Sequence, residues 1–191
     1  MNYLITSDTH LGHSHKILNR PIGFENKILK KHIHAVNEND VLIHLGDFCI
    51  GKDAYWHELF MNKVKGKKWL IKGNHDKKSN TWYLSHGWDF VGNSIFLEVF
   101  GKTILFTHKP EPAWNHEMNI HGHLHNDNHK DHEFPFLASS STHVRIFLED
   151  NYTPFNLLNL VQKFDRKIEN ISKSINESLK QIKALEKEII I

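Results

Sequence analysis

The stretch "NIHGHLHNDNH", residues 119–129, carries histidines at 121, 123, 125 and 129. Histidine is the commonest metal ligand and a frequent acid or base near neutral pH. Four imidazoles in eleven positions therefore describe either a polar surface loop or a loop wrapped around a cation. The chain holds 17 histidines, not gathered in one block as an expression tag would be. The other polar residues fall in a pattern: each group follows a short apolar run. "NYLIT" leads to Asp8 and His10, "DVLIHLGD" to Gly46 and Asp47, and "KKWLIKGNHD" to Gly73, Asn74, His75 and Asp76. "KTILFTH" leads to His108, and "NIHGHLH" to Gly122, His123 and His125.

In α/β folds the carboxyl ends of the strands converge on one edge, where ligands bind. Asp8, His10, Asp47, Asn74, His108, His123 and His125 would meet there. Two divalent ions about 3.5–4 Å apart, sharing one carboxylate, need a donor set of this size. Oxygen and imidazole donors suit Mn2+, then Fe, Zn2+ or Ni2+, better than Ca2+. The competing reading is a chance gathering of polar residues at strand ends. The glycines at 46, 73 and 122 are each expected to let the backbone turn sharply after a strand.

The elements that must position these residues follow from periodicity. Strands are expected at 2–6, at 41–43, before Gly73, at "SIFLEVF" and "KTILFTH" (a hairpin turning at Gly101-Lys102), at "NIHGH" and at "HVRIFLED". Apolar residues at 24, 28, 29, 33 and 36 have helical spacing, and residues 54–64 read as a second helix. Strands interleaved with helices make an α/β protein. The tail differs. Ile168, Ile175, Ile182 and Ile189 repeat at one heptad position, Phe164, Ile171 and Leu185 at the other, with Ser178 interrupting. The expected division is a catalytic domain at 1–162 and an amphipathic helix at 163–191. That helix either packs on its own domain or forms a homo-oligomer as a coiled-coil arm.

Apolar content of 39% and a formal charge of +2 describe an ordinary soluble protein, with too little charge to announce a nucleic-acid or membrane partner. No secretory signal and no spanning apolar run is legible. The single cysteine, Cys49, excludes an intramolecular disulfide and fits a reducing, cytoplasmic setting. Lys63, Lys65, Lys67 and Lys68 read as a solvated turn, and Trp82, Trp88 and Trp114 as core.

The ordered set Asp8-x-His10, Gly46-Asp47, Gly73-Asn74-His75-Asp76, His108 and Gly122-His123-x-His125 resembles the calcineurin-like metallophosphoesterase superfamily, especially its small bacterial and phage members. All five blocks occur in order, and the similarity runs to about residue 160 through "RPIGF" and "THKPEPAW". The resemblance implies two mixed β-sheets packed as a sandwich and flanked by helices. It implies one ion held by Asp8, His10, Asp47 and His125, and a second by Asp47, Asn74, His108 and His123, with Asp47 bridging. His75 would face the substrate beside Asn74, with Asp76 holding its ring. Arg20 is either a further phosphate contact or a solvated arginine.

The implied reaction is hydrolysis of a phosphate ester, foremost a phosphodiester, by direct attack of a hydroxide shared between the ions. Lys72 stands where protein phosphatases of the superfamily carry arginine, and Asp76 where they carry glutamate. Both departures point away from that branch. A phosphomonoesterase, a nuclease with nucleic acid purely as substrate, and a non-catalytic metal-binding interaction module are the other readings. His13, His15, His44, His121 and His129 are expected at the surface or behind the site.

Overall fold

A computed structural model of the protein describes residues 1–125, 133, 134, 137 and 141–189, with side chains of the last helix described to residue 182. His129, and the heptad side chains Leu185 and Ile189, lie outside the described residues. The chain divides into two compact units, Met1–Leu157 and Leu158–Ile191.

The first unit is built on two mixed sheets. In the first, β1 (Tyr3–Thr6), β2 (Val41–His44), β3 (Lys67–Ile71) and β4 (Phe90–Gly92) run parallel, and β9 (Phe155–Asn156) pairs antiparallel with β1. In the second, β5 (Ser94–Val99) and β6 (Lys102–Thr107) form a hairpin; β7 (Met118–His121) and β8 (His143–Arg145) then add parallel strands. The hairpin turns at Phe100-Gly101, one residue earlier than the sequence suggests. Val99 pairs with Lys102, and both turn residues have positive φ (53° and 70°). That geometry matches the twist of the flanking strands.

Alternation of side chains along the strands assigns the two faces of the first sheet. Leu4, Leu42 and Leu70 share one apolar cluster with residues of α1 (Phe24–Ala35), α2 (Asp53–Lys63) and α3 (Asn80–Ser85). Ile5, Ile43 and Ile71 on the opposite face are fully buried, as are Ile104, Phe106, Met118 and Ile120 of the second sheet. These are the facing interiors of a sandwich, and each such side chain contributes roughly 1.5–3 kcal/mol on burial.

Some local expectations fail for physical reasons. Helical spacing points Ile33 inward, but Ile33 is exposed and its neighbour His32 is fully buried. His32 Nδ1 donates to the Ile28 carbonyl, and the Thr6 hydroxyl bonds its Nε2. β4, β9 and α3 span 3, 2 and 6 residues, too short to carry a periodic signal. "HVRIFLED" leaves the sheet after Arg145 and continues into a 3-10 turn at Leu148–Asp150. Lys68 is buried, its amine donating to the Gly66 carbonyl, so this part of the basic cluster is not solvated.

The second unit is helical: α4 (Leu157–Ile189) covers 33 residues. Ile171, Ile175, Leu179 and Ile182 on it are exposed. Among the described residues, no helix is long and apolar enough to cross a membrane.

Candidate metal centre

The loops leaving β1 and β2 continue the parallel pairing of their strands. Asp8 N donates to Gly46 O, His10 N to Asp47 O and Leu11 N to Phe48 O, each at 3.0 Å. The strand register is thereby carried forward until Asp8, His10 and Asp47 stand side by side. From the second sheet, His108 follows β6 and His123 and His125 follow β7. The His108 ring reaches back across the sandwich, its Nδ1 donating to Leu45 O at 2.8 Å.

Two donor groups result: Asp8, His10 and His125, then Asp47, His108 and His123, each with ligand atoms within 4.8 Å of one another. In the first, His10 Nε2 and His125 Nε2 lie 3.2 Å apart, and Asp8 Oδ1 is 3.8 and 3.7 Å from them. In the second, His108 Nε2 is 3.1 Å from His123 Nδ1, 2.9 Å from Asn74 Oδ1 and 3.4 Å from Asp47 Oδ2. Asp47 Oδ2 also lies 3.7 Å from His10 Nε2, so it faces both groups.

Each carboxylate divides its two oxygens. Asp8 Oδ2 accepts from the Ser7 hydroxyl and from His123 N, and Asp47 Oδ1 accepts from His75 N. The remaining oxygens face the imidazoles. Asp8 Oδ1 is buried without a hydrogen-bond partner. Burial also raises the Asp8 carboxyl above its usual range, so its charge lacks compensation from the protein alone. Burial holds the His10 ring well below its usual range, keeping it neutral with a lone pair to offer. A buried orphan oxygen facing converging imidazoles is the donor chemistry of a divalent transition-metal site.

The backbone is bent to this purpose. Asp8, His10, Asp47, His123 and His125 all have φ between 45° and 66°, the left-handed region that side chains other than glycine's adopt at a cost. Gly46 (φ 93°) permits the turn before Asp47. Gly73 and Gly122 have no such φ, so the turning role expected of both is corrected. A Cβ on Gly73 would strike Asp47, and one on Gly122 the Ser7 hydroxyl and the Asp8 carboxylate. Both are needed for room.

Of the remaining sequence-derived residues, His75 sits at the rim, half exposed, with Nε2 3.9 Å from Asp47 Oδ2. Asp76 does not hold the His75 ring. Its carboxylate accepts from the backbone N–H groups of Asp47 (2.7 Å), Gly73 (2.8 Å) and Phe48 (3.2 Å), tying the β2 and β3 loops together. Arg20 is neither solvated nor turned to a substrate: it is buried, its guanidinium spent on the carbonyls of Asp8 and Thr9 and on Glu149. His44 and His121 are buried near the site, while His13 lines its cavity. Sequence reasoning missed Glu149, which nothing local distinguishes from a surface glutamate. Trp82 and Trp88 join the core as expected, but Trp114 is 86% exposed.

The profile of the calcineurin-like phosphoesterase family matches residues 1–175, and the chain belongs to that family. It is a metal-dependent phosphoesterase, a hydrolase acting on phosphoric ester bonds. A protein of unknown function from Aquifex aeolicus is similar in structure at a TM-score of 0.67 and 26% identity, covering 84% of this chain and 98% of that one. The nuclease MPE of Pseudomonas putida matches at 0.46 and 26%, covering 64% and 61%. An archaeal phosphodiesterase matches at 0.43 and 20%, covering 64% and 73%. A search of the curated proteins returned no significant match.

Proposed function

We propose that the protein hydrolyses phosphodiesters with two divalent ions, Mn2+ foremost, in a reducing cytoplasmic setting. Asp8, His10, Asp47 and His125 would hold one ion, and Asp47, Asn74, His108 and His123 the other. Such a pair supplies charge neutralisation at the phosphate and a water-derived nucleophile near neutral pH. His75, at the cavity rim, would give a proton to the departing oxygen. Asn74 and His75 line the cavity where the phosphate would lie.

The observation that carries the diester preference is a pair of cavities meeting at Asn74. One, of about 710 Å3, is lined by His10, Asp47, His75, His123 and His125. The other, of about 790 Å3, lies beyond His108 and is lined by Lys72, Lys109, Pro112 and Trp114. A diester carries an organic group on each side of phosphorus and would fill both; a monoester would use one. The exposed indole of Trp114, lining the same cavity as Lys109, suits a nucleotide arm, by stacking and by charge. The test compares bis-p-nitrophenyl phosphate with p-nitrophenyl phosphate on metal-stripped protein before and after Mn2+ is restored. Mn2+-dependent diester cleavage, at least about tenfold faster than monoester cleavage, is expected. Faster monoester cleavage would replace the diester reading with a phosphatase.

The stripe Ile171, Ile175, Leu179 and Ile182 repeats at intervals of 4, 4 and 3 along α4, the spacing of a helix-pairing seam. We assign it to a second copy of this chain. Sedimentation of the full chain should give a dimer that Ile175→Lys with Ile182→Lys converts to monomer. A wild-type monomer at high concentration would overturn the assignment.

A further inference from the structure

Glu149 lies 24 residues beyond His125, outside every block of the family pattern. Its Oε1 accepts from His125 Nδ1 at 2.9 Å and from Arg20 Nη2 at 2.6 Å. The same guanidinium donates to the carbonyls of Asp8 (2.7 Å) and Thr9 (2.8 Å). The Arg20 side chain is fully buried and that of Glu149 is 20% exposed. One connected group thus grips Asp8 through its backbone and His125 through its ring. A proton held on Nδ1 by Glu149 leaves Nε2 of His125 as a lone pair, and Nε2 is the atom facing Asp8 Oδ1 and His10 Nε2. The second donor group is braced differently: His108 Nδ1 donates to a neutral carbonyl, Leu45 O.

We propose that Glu149, locked by Arg20, is the positioning residue of the Asp8–His10–His125 half-site and sets the affinity of that ion independently of the other. This rests on the two-ion reading. Carboxylates that support ligating histidines typically change metal affinity 10–100-fold when removed. Mn2+ binding to the stripped full chain, followed by calorimetry and electron paramagnetic resonance, needs no turnover. Wild type should bind two ions. Glu149→Ala should weaken one by about 10–100-fold and leave the other unchanged. Glu149→Gln keeps an acceptor oxygen for His125 Nδ1 and should recover most of the loss, a rescue that general destabilisation would not give. If the alanine chain fails to fold, Glu149→Asp, one methylene short of the ring, gives the same reading. Two wild-type affinities in the alanine or aspartate chain would overturn the proposal alone. Fewer than two ions in wild type would overturn the two-ion reading and this proposal with it.

Discussion

Asp47→Ala is expected to lose bound metal and turnover together, while His75→Ala loses turnover and keeps its metal. Asp47 Oδ2 lies within 3.7 Å of imidazole nitrogens from both donor groups. Its removal strips each prospective ion of its shared anionic ligand. Loss of this electrostatic stabilisation, several kcal/mol in metal-assisted phosphoryl chemistry, lowers the rate by about 1000-fold or more. His75 takes no part in either donor group. Its loss removes a proton donor worth about 100- to 10,000-fold, with ion stoichiometry unchanged. Metal content by elemental analysis, paired with steady-state rates, separates the two roles. Wild-type metal content in Asp47→Ala would end the bridging assignment, and wild-type turnover in His75→Ala would end the proton-donor assignment.

The second large effect is acid unfolding between pH 6.5 and 4. Three histidines are held neutral by burial, in hydrogen-bonded surroundings. His57 Nδ1 accepts from Trp88 Nε1, and His44 Nδ1 accepts from Gly46 N. His32 is enclosed by the Ile28 carbonyl and the Thr6 hydroxyl. Burial pushes His32 down to about 4 and His57 to about 3, and drives His44 well below its usual range. The unfolded chain binds these protons near pH 6.5 and the folded chain does not, so stability falls as pH drops through this window. Each group contributes about 1.4 kcal/mol per pH unit there, so the three together contribute about 4. Burial opposes charge on His108, but Asp47 and Asp8 outweigh it and carry His108 up to about 9. That group acts with the opposite sign and in a different window: its stabilisation is complete below 6.5 and is lost as pH rises through 9. Denaturant titrations in chelator from pH 6 to 5 should show these three histidines taking up about three protons on unfolding, with His10 and His121, which burial also lowers, adding to that number. His57→Gln, which keeps an acceptor for Trp88, should lower that number by one; an unchanged slope would remove His57 from the account.

The side chains that the structure gathers into the two donor groups were legible because each follows an apolar run and the chemistry resides in the side chain itself. Asp8, His10, Asp47, Asn74, His108, His123 and His125 needed only the rule that strand ends converge. Arg20, Asp76 and Glu149 were misjudged or missed because their roles are tertiary. Arg20 looks like any arginine before a proline until Glu149 arrives from 129 residues away. Asp76 is adjacent to His75 in sequence, yet its carboxylate turns to the backbone of a different loop. The His32–Ile33 exchange has the same origin: a hydroxyl on β1 makes burial of an imidazole favourable at a position where helical spacing alone would choose isoleucine. The short strands β4 and β9 exist through pairing with neighbours rather than through any pattern of their own.

Each donor group draws on both sheets: Asp8 and His10 from the first with His125 from the second, and Asp47 from the first with His108 and His123 from the second. A cation seated in either group is therefore a rivet through the sandwich, fastening one layer to the other at the edge where the strands end. Neither layer can then peel away alone without surrendering ions. With both rivets in place the two sheets are obliged to melt as one body.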